Sequence, residues 1–238
     1  MQTNQPCRLS SGALAPSRSL RHAAAGRMLL LAALATVTLL QTGCVTGRRY
    51  VPLTVPDAAA TPSRGPVRVA TVADDRNFQN KPDDPSIPSI DGDVTSMSAE
   101  LKASMIGRQR STYGHAMGDI ALPADQSVPV LARLLVEQGL KRHGYELSAD
   151  AMTPKTVNVS IDKFWAWGTP GLFSIAFEAQ LYCKFTVNSG SGPKELVVVG
   201  YGKNNGQVAS DGNWQKAYDL AFQDFLAQFD KALTDAGL

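Results

Sequence analysis

Every odd position from Phe173 to Val187 is apolar: Phe173, Ile175, Phe177, Ala179, Leu181, Cys183, Phe185 and Val187. Polar side chains fill most of the even positions between them. A strict period of two describes a strand with one face in a core and the other in water. Upstream, Val157, Val159 and Ile161 alternate in the same way, and Asp162-Lys163 then shifts the phase before Phe164-Trp165-Ala166-Trp167. Such a shift is the mark of a bulge. Gly168-Thr169-Pro170-Gly171 joins these two strands as a turn, and Asn188 to Pro193 forms a hairpin loop to a third, Leu196–Val199, which fades through Gly200-Tyr201-Gly202. An earlier strand begins at Val67-Arg68-Val69-Ala70-Thr71-Val72 and runs into Asp74-Asp75-Arg76.

Two segments have the helical period. In the first, Ser127 is placed to cap, Pro129 suits the first turn, and Leu131, Leu134, Leu135 and Gln138 share a face. Lys141, Arg142 and His143 complement the dipole at its end, and Gly144 suits the left-handed stop, with Tyr145 folding back on it. The second runs from about Trp214 to Ala236, capped by Asn213 or Asp211. Its stripe of Trp214, Tyr218, Phe222, Phe225, Phe229 and Leu233 reads as core, not as a groove for a partner. The order is β-α-β-β-β-α. It predicts an α+β fold: an antiparallel meander of about four strands, with two helices on its apolar face and its other face solvated. Cys183 falls on the apolar face, as a buried small hydrophobe. Residues 77–126 lack a sustained period and are broken by Pro82, Pro85, Pro88 and Pro123. They read as a long irregular insertion, with a short strand or turn around Ser104–Gly107, and stretches of this kind are either functional or disordered.

The amino-terminal pattern is of another kind. Four arginines (Arg8, Arg18, Arg21, Arg27) and no acid precede an apolar run of 13 residues, Met28–Leu40. That is the layout of a secretory signal peptide, and the run is shorter than the ~20 residues a membrane-spanning helix requires. Thr42-Gly43-Cys44 at its end resembles the lipobox of bacterial lipoproteins, although Gln41 stands where that motif usually has Leu. The resemblance implies lipidation of the Cys44 sulfur, cleavage before it and acylation of the new amino terminus. Residues 1–43 are then leader, 44–66 a lipidated tether, and 67–238 a single domain. The tether, with four prolines and no periodicity, spans roughly 25 Å as a flexible coil. Arg48 and Arg49 in it read as solvated charge, with contact to anionic headgroups as the alternative.

Charge and cysteine content follow from that cut. The whole chain has 23 basic and 21 acidic residues. Losing the four leader arginines leaves 19 against 21, a balance of −2, so nothing points to nucleic acid or to a polybasic membrane patch. Cys7 departs with the leader. Lipid on Cys44 leaves Cys183 alone and the domain without a disulfide; an unlipidated Cys44 bridged to Cys183 is the rival arrangement.

The lipobox, the proline-rich tether and the VRVATVADDR strand together resemble the YajG-type lipoproteins of Gram-negative bacteria. So do the helix closing on LKRHGYEL, the VNVSIDKF and LYCKFTV strands and the amphipathic last helix. The resemblance covers roughly residues 40–238. It implies a location and a fold, not an activity. Val45, in place of the Asp that retains enteric lipoproteins in the inner membrane, implies the periplasmic face of the outer membrane.

Catalytic motifs are sparse. Gly190-Ser191-Gly192 lies in a hairpin and is not a nucleophile elbow, and Gly200–Gly206 has the wrong spacing for a phosphate loop. One cysteine with two distant histidines gives no zinc spacing, and Asp74, Asp75, Asp83, Asp84, Asp91 and Asp93 miss the calcium-loop pattern. Arg108 and Arg110 read as partners for these acids. No cofactor or metal is expected. The leading expectation is a non-enzymatic envelope lipoprotein that binds a protein partner or an envelope component. It would do so through the 77–126 region (Arg108, Arg110, Tyr113, His115) and through Trp165 and Trp167 at a strand end. Two alternatives stand beside it: an envelope hydrolase using His115 with Asp119 or a loop aspartate, and an accessory subunit of a transport or flagellar assembly.

Overall fold

The structure, a computed structural model, describes residues 47–58, 64–111, 113–190 and 192–238. The signal peptide and Cys44 lie outside the described residues. The described chain is α+β. Its strands are β1 (Arg49–Tyr50), β2 (Pro66–Asp74), β3 (Met105–Arg110), β4 (Ala116–Ala121), β5 (Glu146–Leu147), β6 (Thr156–Pro170), β7 (Ile175–Ser189) and β8 (Gly192–Gly206). Its helices are α1 (Ala99–Ser104), α2 (Val128–Arg142) and α3 (Asp211–Asp235), with a 3-10 turn at Val94–Ser96.

The expected meander is present as β6–β7–β8, antiparallel and in register from Thr156↔Asn188 to Pro170↔Ile175 and from Ile175↔Gly206 to Ser189↔Gly192. The register breaks between Ile161 and Lys163, where the phase shift in the sequence places a bulge. The sheet is larger than the four strands expected, and it is mixed. The far edge of β6 is shared: β2 runs parallel to its first half and β3 parallel to its second. β4 pairs antiparallel with β3, β1 parallel with β4, and β5 parallel with β2, which gives eight strands.

Two sequence expectations are therefore corrected. Residues 77–126 are not one irregular insertion, because they supply α1 and the β3–β4 hairpin of the central sheet. Residues 49–53 are not free tether: Arg49 and Tyr50 pair with Ile120 and Ala121, and Val51 and Leu53 are in the core. Arg49 pairs with Asp211 at 3.2 Å and Arg48 with Asp119 at 3.8 Å, so neither is merely solvated charge.

Both α2 and α3 cover one face of the sheet, as the periodicity predicts. α3 buries Trp214, Tyr218, Phe222, Phe225 and Phe229, the aromatic stripe, against Phe164, Phe177 and Phe185. It lies close because β8 presents Gly200 and Gly202 beneath it: a Cβ on Gly202 would run into the Ala217 carbonyl oxygen and the Ala221 nitrogen. The end of α2 is as expected, with Gly144 at φ 95°. Its buried face is Leu131, Ala132, Leu135, Val136 and Leu140, whereas Leu134 is exposed. Ser127 and Ser210 occupy the cap positions of α2 and α3 without side-chain capping bonds.

The opposite face is not left to solvent. The bulge at Asp162 reverses the phase of β6, so Phe164 and Ala166 face the helices while Trp165 and Trp167 face away from them. There they join Met105, Ile90 and Ala121 in a second cluster, covered by Phe78, Val94, Met97 and Leu101. Arg76, at the end of β2, ties this cover down. Its guanidinium is 2% exposed. Nε and Nη2 donate to the two carboxylate oxygens of Asp74 at 2.8 Å each. Nη1 donates to the carbonyls of Met105 at 2.6 Å and Phe164 at 3.1 Å, and Nη2 also donates to that of Lys102. One side chain thereby joins β2, α1, β3 and β6.

Replacing Arg76 by Met leaves Asp74 and three carbonyls without this donor. The expected cost is about 3–5 kcal/mol, the range for breaking a buried pair from one side, read as a lower urea midpoint at unchanged slope. Arg76→Lys is also destabilising, because an ammonium has no fork to serve four acceptors. Gly202→Ala is expected to cost about 1–3 kcal/mol by overpacking against α3, while Gly190→Ala, with open space around it, leaves the melting temperature within a degree or so.

Candidate functional site

The β3–β4 hairpin positions most of the residues singled out from the sequence. Arg108 and Arg110 are two apart on β3, hence on one side of the strand, and both reach the segment that covers the second cluster. Arg108 is buried; Nη1 donates to the Ile90 carbonyl, Nη2 lies 3.4 Å from the Asp91 carboxylate, and Nε lies 3.7 Å from that of Asp119 without a hydrogen bond. Arg110 donates from Nη1 to the Pro82 carbonyl at 2.7 Å. Its Nε is buried without a partner, and no carboxylate of the described residues lies within ion-pair distance.

Between the hairpin and residues 81–91 lies a cavity of about 600 Å³. Arg108, Arg110, Tyr113 and His115 line it from the hairpin, and Lys81, Asp83 and Asp91 from the covering segment. A smaller cavity of about 200 Å³ adjoins it through Arg108, Asp91 and Ala116, and reaches Gly47, Arg48 and Asp119. Lys81 has φ 47°, the sole non-glycine left-handed residue among the described ones, so the backbone is strained where it meets the larger cavity. The lining mixes cations that are not within ion-pair distance of a carboxylate among the described residues (Lys81, Arg110) with exposed carboxylates (Asp83, Asp91), and Asp83 and Asp84 act on Arg110 from farther off. That mixture suits a polar ligand carrying both signs of charge, or a charged peptide segment.

Asp119 is the electrostatic hinge of the site. It is buried, accepts the Asp91 N–H at 3.2 Å, and faces Arg108 and Arg48. Burial pushes its carboxyl above the ordinary value of 3.8; the Asp91 N–H and the two arginines offset this only in part. Asp119 also holds the hairpin to the incoming amino-terminal strand.

The structure brings Arg108, Arg110, Tyr113 and His115 together around one cavity, whose lining does not include the tryptophans, although Trp167 pairs with Arg108 along the strands. Trp165 and Trp167 do not form an exposed surface: the bulge turns both into the second cluster, with Trp165 Nε1 donating to Pro85 O at 3.2 Å and Trp167 Nε1 to Glu178 at 3.1 Å. Nor does His115 meet Asp119. The two line different cavities, and the imidazole makes no hydrogen bond to the described residues. Cys183 is buried and its thiol is pushed up by burial, which suits the role of a small hydrophobe. His143 sits at the end of α2 between Asp230, 2.6 Å from Nδ1, and the Leu238 carbonyl, 2.8 Å from Nε2. The six clustered aspartates disperse into separate local roles: Asp74 holds Arg76, Asp75 accepts from Ser160, and Asp93 caps the 3-10 turn. Among the described residues no three His, Cys, Asp or Glu side chains are placed to hold a metal ion. Lys81 and Arg76 escaped notice in the sequence: a left-handed lysine has no sequence mark, and Arg76 reads there as the polar end of a strand.

No family model matches this chain, and no curated protein matches its sequence. Among solved structures, it is similar to a protein of Xanthomonas campestris carrying the DUF330 family model (TM-score 0.36, 10% identity, 81% of this chain and 98% of that one). It is also similar to an uncharacterized protein (TM-score 0.30, 12% identity, 80% and 95%) and to a hypothetical protein of Chlamydia trachomatis (TM-score 0.30, 9% identity, 73% and 99%).

A carboxyl whose folded-state value is raised favours the folded state only while protonated, so its contribution falls as pH rises through and above the unfolded value of 3.8. The stability of the wild-type protein relative to Asp119→Asn is therefore expected to decline from pH 3.5 upward and then level off. Urea midpoints of the two proteins across that range are the check; a difference that grows with pH would contradict the burial assignment.

Proposed function

We propose that this chain is a lipoprotein anchored through Cys44 to the periplasmic face of the outer membrane, and that its domain works by binding and not by turnover. The observation that carries the binding half is the cavity beside the β3–β4 hairpin. It gathers Lys81, Arg110, Tyr113 and His115 against Asp83 and Asp91, yet among the described residues no Ser, Thr or Cys nucleophile borders it and no carboxylate hydrogen-bonds to the His115 ring. A site built this way recognises charge and shape. A hydrolase using His115 with Asp119 would require the two to share a cavity, whereas they line different ones; the loop aspartates Asp83 and Asp91 do share the cavity of His115, and a hydrolase using one of them is the second reading. The occupant is an envelope component or a segment of a partner protein, with membership of a transport assembly as one form this takes.

The anchoring half rests on the lipobox resemblance and on the kinship with YajG-type lipoproteins that the sequence motifs suggest. Among the described residues no helix is long and apolar enough to cross a membrane.

Two measurements test the two halves separately. Metabolic labelling with a fatty-acid analogue is expected to mark the wild-type protein and not Cys44→Ser; equal labelling of both removes the anchor. A photoreactive residue in place of His115 is expected to capture an occupant in intact cells, and Arg110→Gln to cut that capture severalfold. Capture unaffected by Arg110→Gln rejects the cavity as the site.

A further inference from the structure

Three connections end at the same end of the sheet, and the amino-terminal strand enters there. Arg110↔Ala116 closes the β3–β4 hairpin, whose loop carries Tyr113. Arg108↔Trp167 sets that loop beside the end of β6, where the turn into β7 carries Leu172 and Phe173. Ile175↔Gly206 brings in the end of β8, followed by Val208. These four side chains are exposed by 87%, 88%, 86% and 66%. Large apolar groups so exposed, gathered at one end, signal a contact surface.

The path of the chain says what that surface meets. The Gly47 N–H donates to the Met117 carbonyl, and β1 runs parallel to β4, so followed backward from Tyr50 to Gly47 the chain runs towards the Ala116 end of β4, where the Tyr113 loop lies. Cys44 is three residues upstream of Gly47. At no more than about 3.6 Å per residue, it lies within about 11 Å of Gly47, not at the end of a 25 Å coil. A lipid on Cys44, so short a length of chain from Gly47, would bring the bilayer to the end of the sheet where the described chain begins. Lys81 and Arg110, neither within ion-pair distance of a carboxylate among the described residues, border the same loop and match the phosphates of headgroups.

We propose that this end of the sheet, with Leu172, Phe173, Tyr113 and Val208 at its tips, is a membrane-docking face that settles the domain onto the lipid surface that holds its anchor. The apolar tips enter the interfacial layer, Tyr113 sits at headgroup depth, and the cavity opens towards the bilayer. The proposal rests on the lipid anchor proposed above.

The test uses the full lipidated chain in liposomes. Single cysteines at Phe173→Cys, Tyr113→Cys and, as the control before the start of β6, Met152→Cys are labelled with an environment-sensitive dye. The buried Cys183 is not expected to react. Lipids brominated on the upper acyl chain are expected to quench the dye at 173 and 113 at least threefold more than at 152. Adding Leu172→Ser to Tyr113→Cys is expected to lower the quenching at 113 about twofold or more. Equal quenching at all three sites, or none at 173 in a protein that floats with the liposomes, overturns the docking face. Protection of position 173 by a co-purified protein in place of lipid overturns it as well. A protein that does not float at all refutes the anchor instead, so the two failures are distinguishable.

Discussion

The guanidinium of Arg76 is the contact on which the site depends. β6, 15 residues long, carries two neighbours on one edge, and it needs a device to hold β2 and β3 end to end there. Arg76 supplies it: buried, paired with Asp74, and donating to carbonyls on α1, β3 and β6. A buried charge is tolerated only when its hydrogen-bonding capacity is met, and here every acceptor belongs to a different part of the junction. The same side chain lies 5.2 Å from the Phe78 ring, which meets Trp165 edge-on. Thus one residue locks the hairpin that carries Arg108, Arg110, Tyr113 and His115 and also seats the segment that walls their cavity.

Where one side of the sequence faces water, its period reveals the structure. β7 is legible over its whole length for that reason, as are α3 and the left-handed Gly144. The Asp162-Lys163 phase shift also corresponds to a real break in register. The pattern weakens where both faces are covered. From Phe164 to Gly168 every residue of β6 is buried, and alternation has nothing to contrast with. That is how Trp165 and Trp167 came to read as an exposed strand end. β3 fails for the same reason, since Met105, Ile106, Gly107 and Arg108 are all buried. β1 has two residues, below any periodic signal, and its place is decided by Val51 and Leu53 entering the core.

The candidate site was half legible. Unexplained charge and aromatic character in a segment without period pointed to Arg108, Arg110, Tyr113 and His115, and these do converge. Lys81, Asp83 and Asp91 come from the covering segment, well upstream of the hairpin in the chain. Their approach depends on a tertiary fold-back that local chemistry does not encode. Asp119 illustrates the difference between a residue type and a role. As a carboxylate four positions after a histidine it suggested catalysis, whereas the alternation of β4 sends it inward to face Arg108 and Arg48.

Anchoring and architecture bear on each other through length. A coil of some 25 Å would let a lipidated domain tumble above the bilayer and present any side to it. On the proposed anchor only three residues would separate the lipid from Gly47 and from a strand fixed by Val51, Leu53 and the Arg49–Asp211 pair, which would remove most of that freedom. Local concentration rises steeply as a tether shortens, so contacts far too weak to bind a membrane alone suffice to orient a domain already held there. On the proposed docking, the two exposed residues of the β6–β7 turn are contacts of that modest kind. Their value comes from the register of β1 on β4, which delivers the chain to the end of the sheet where they stand.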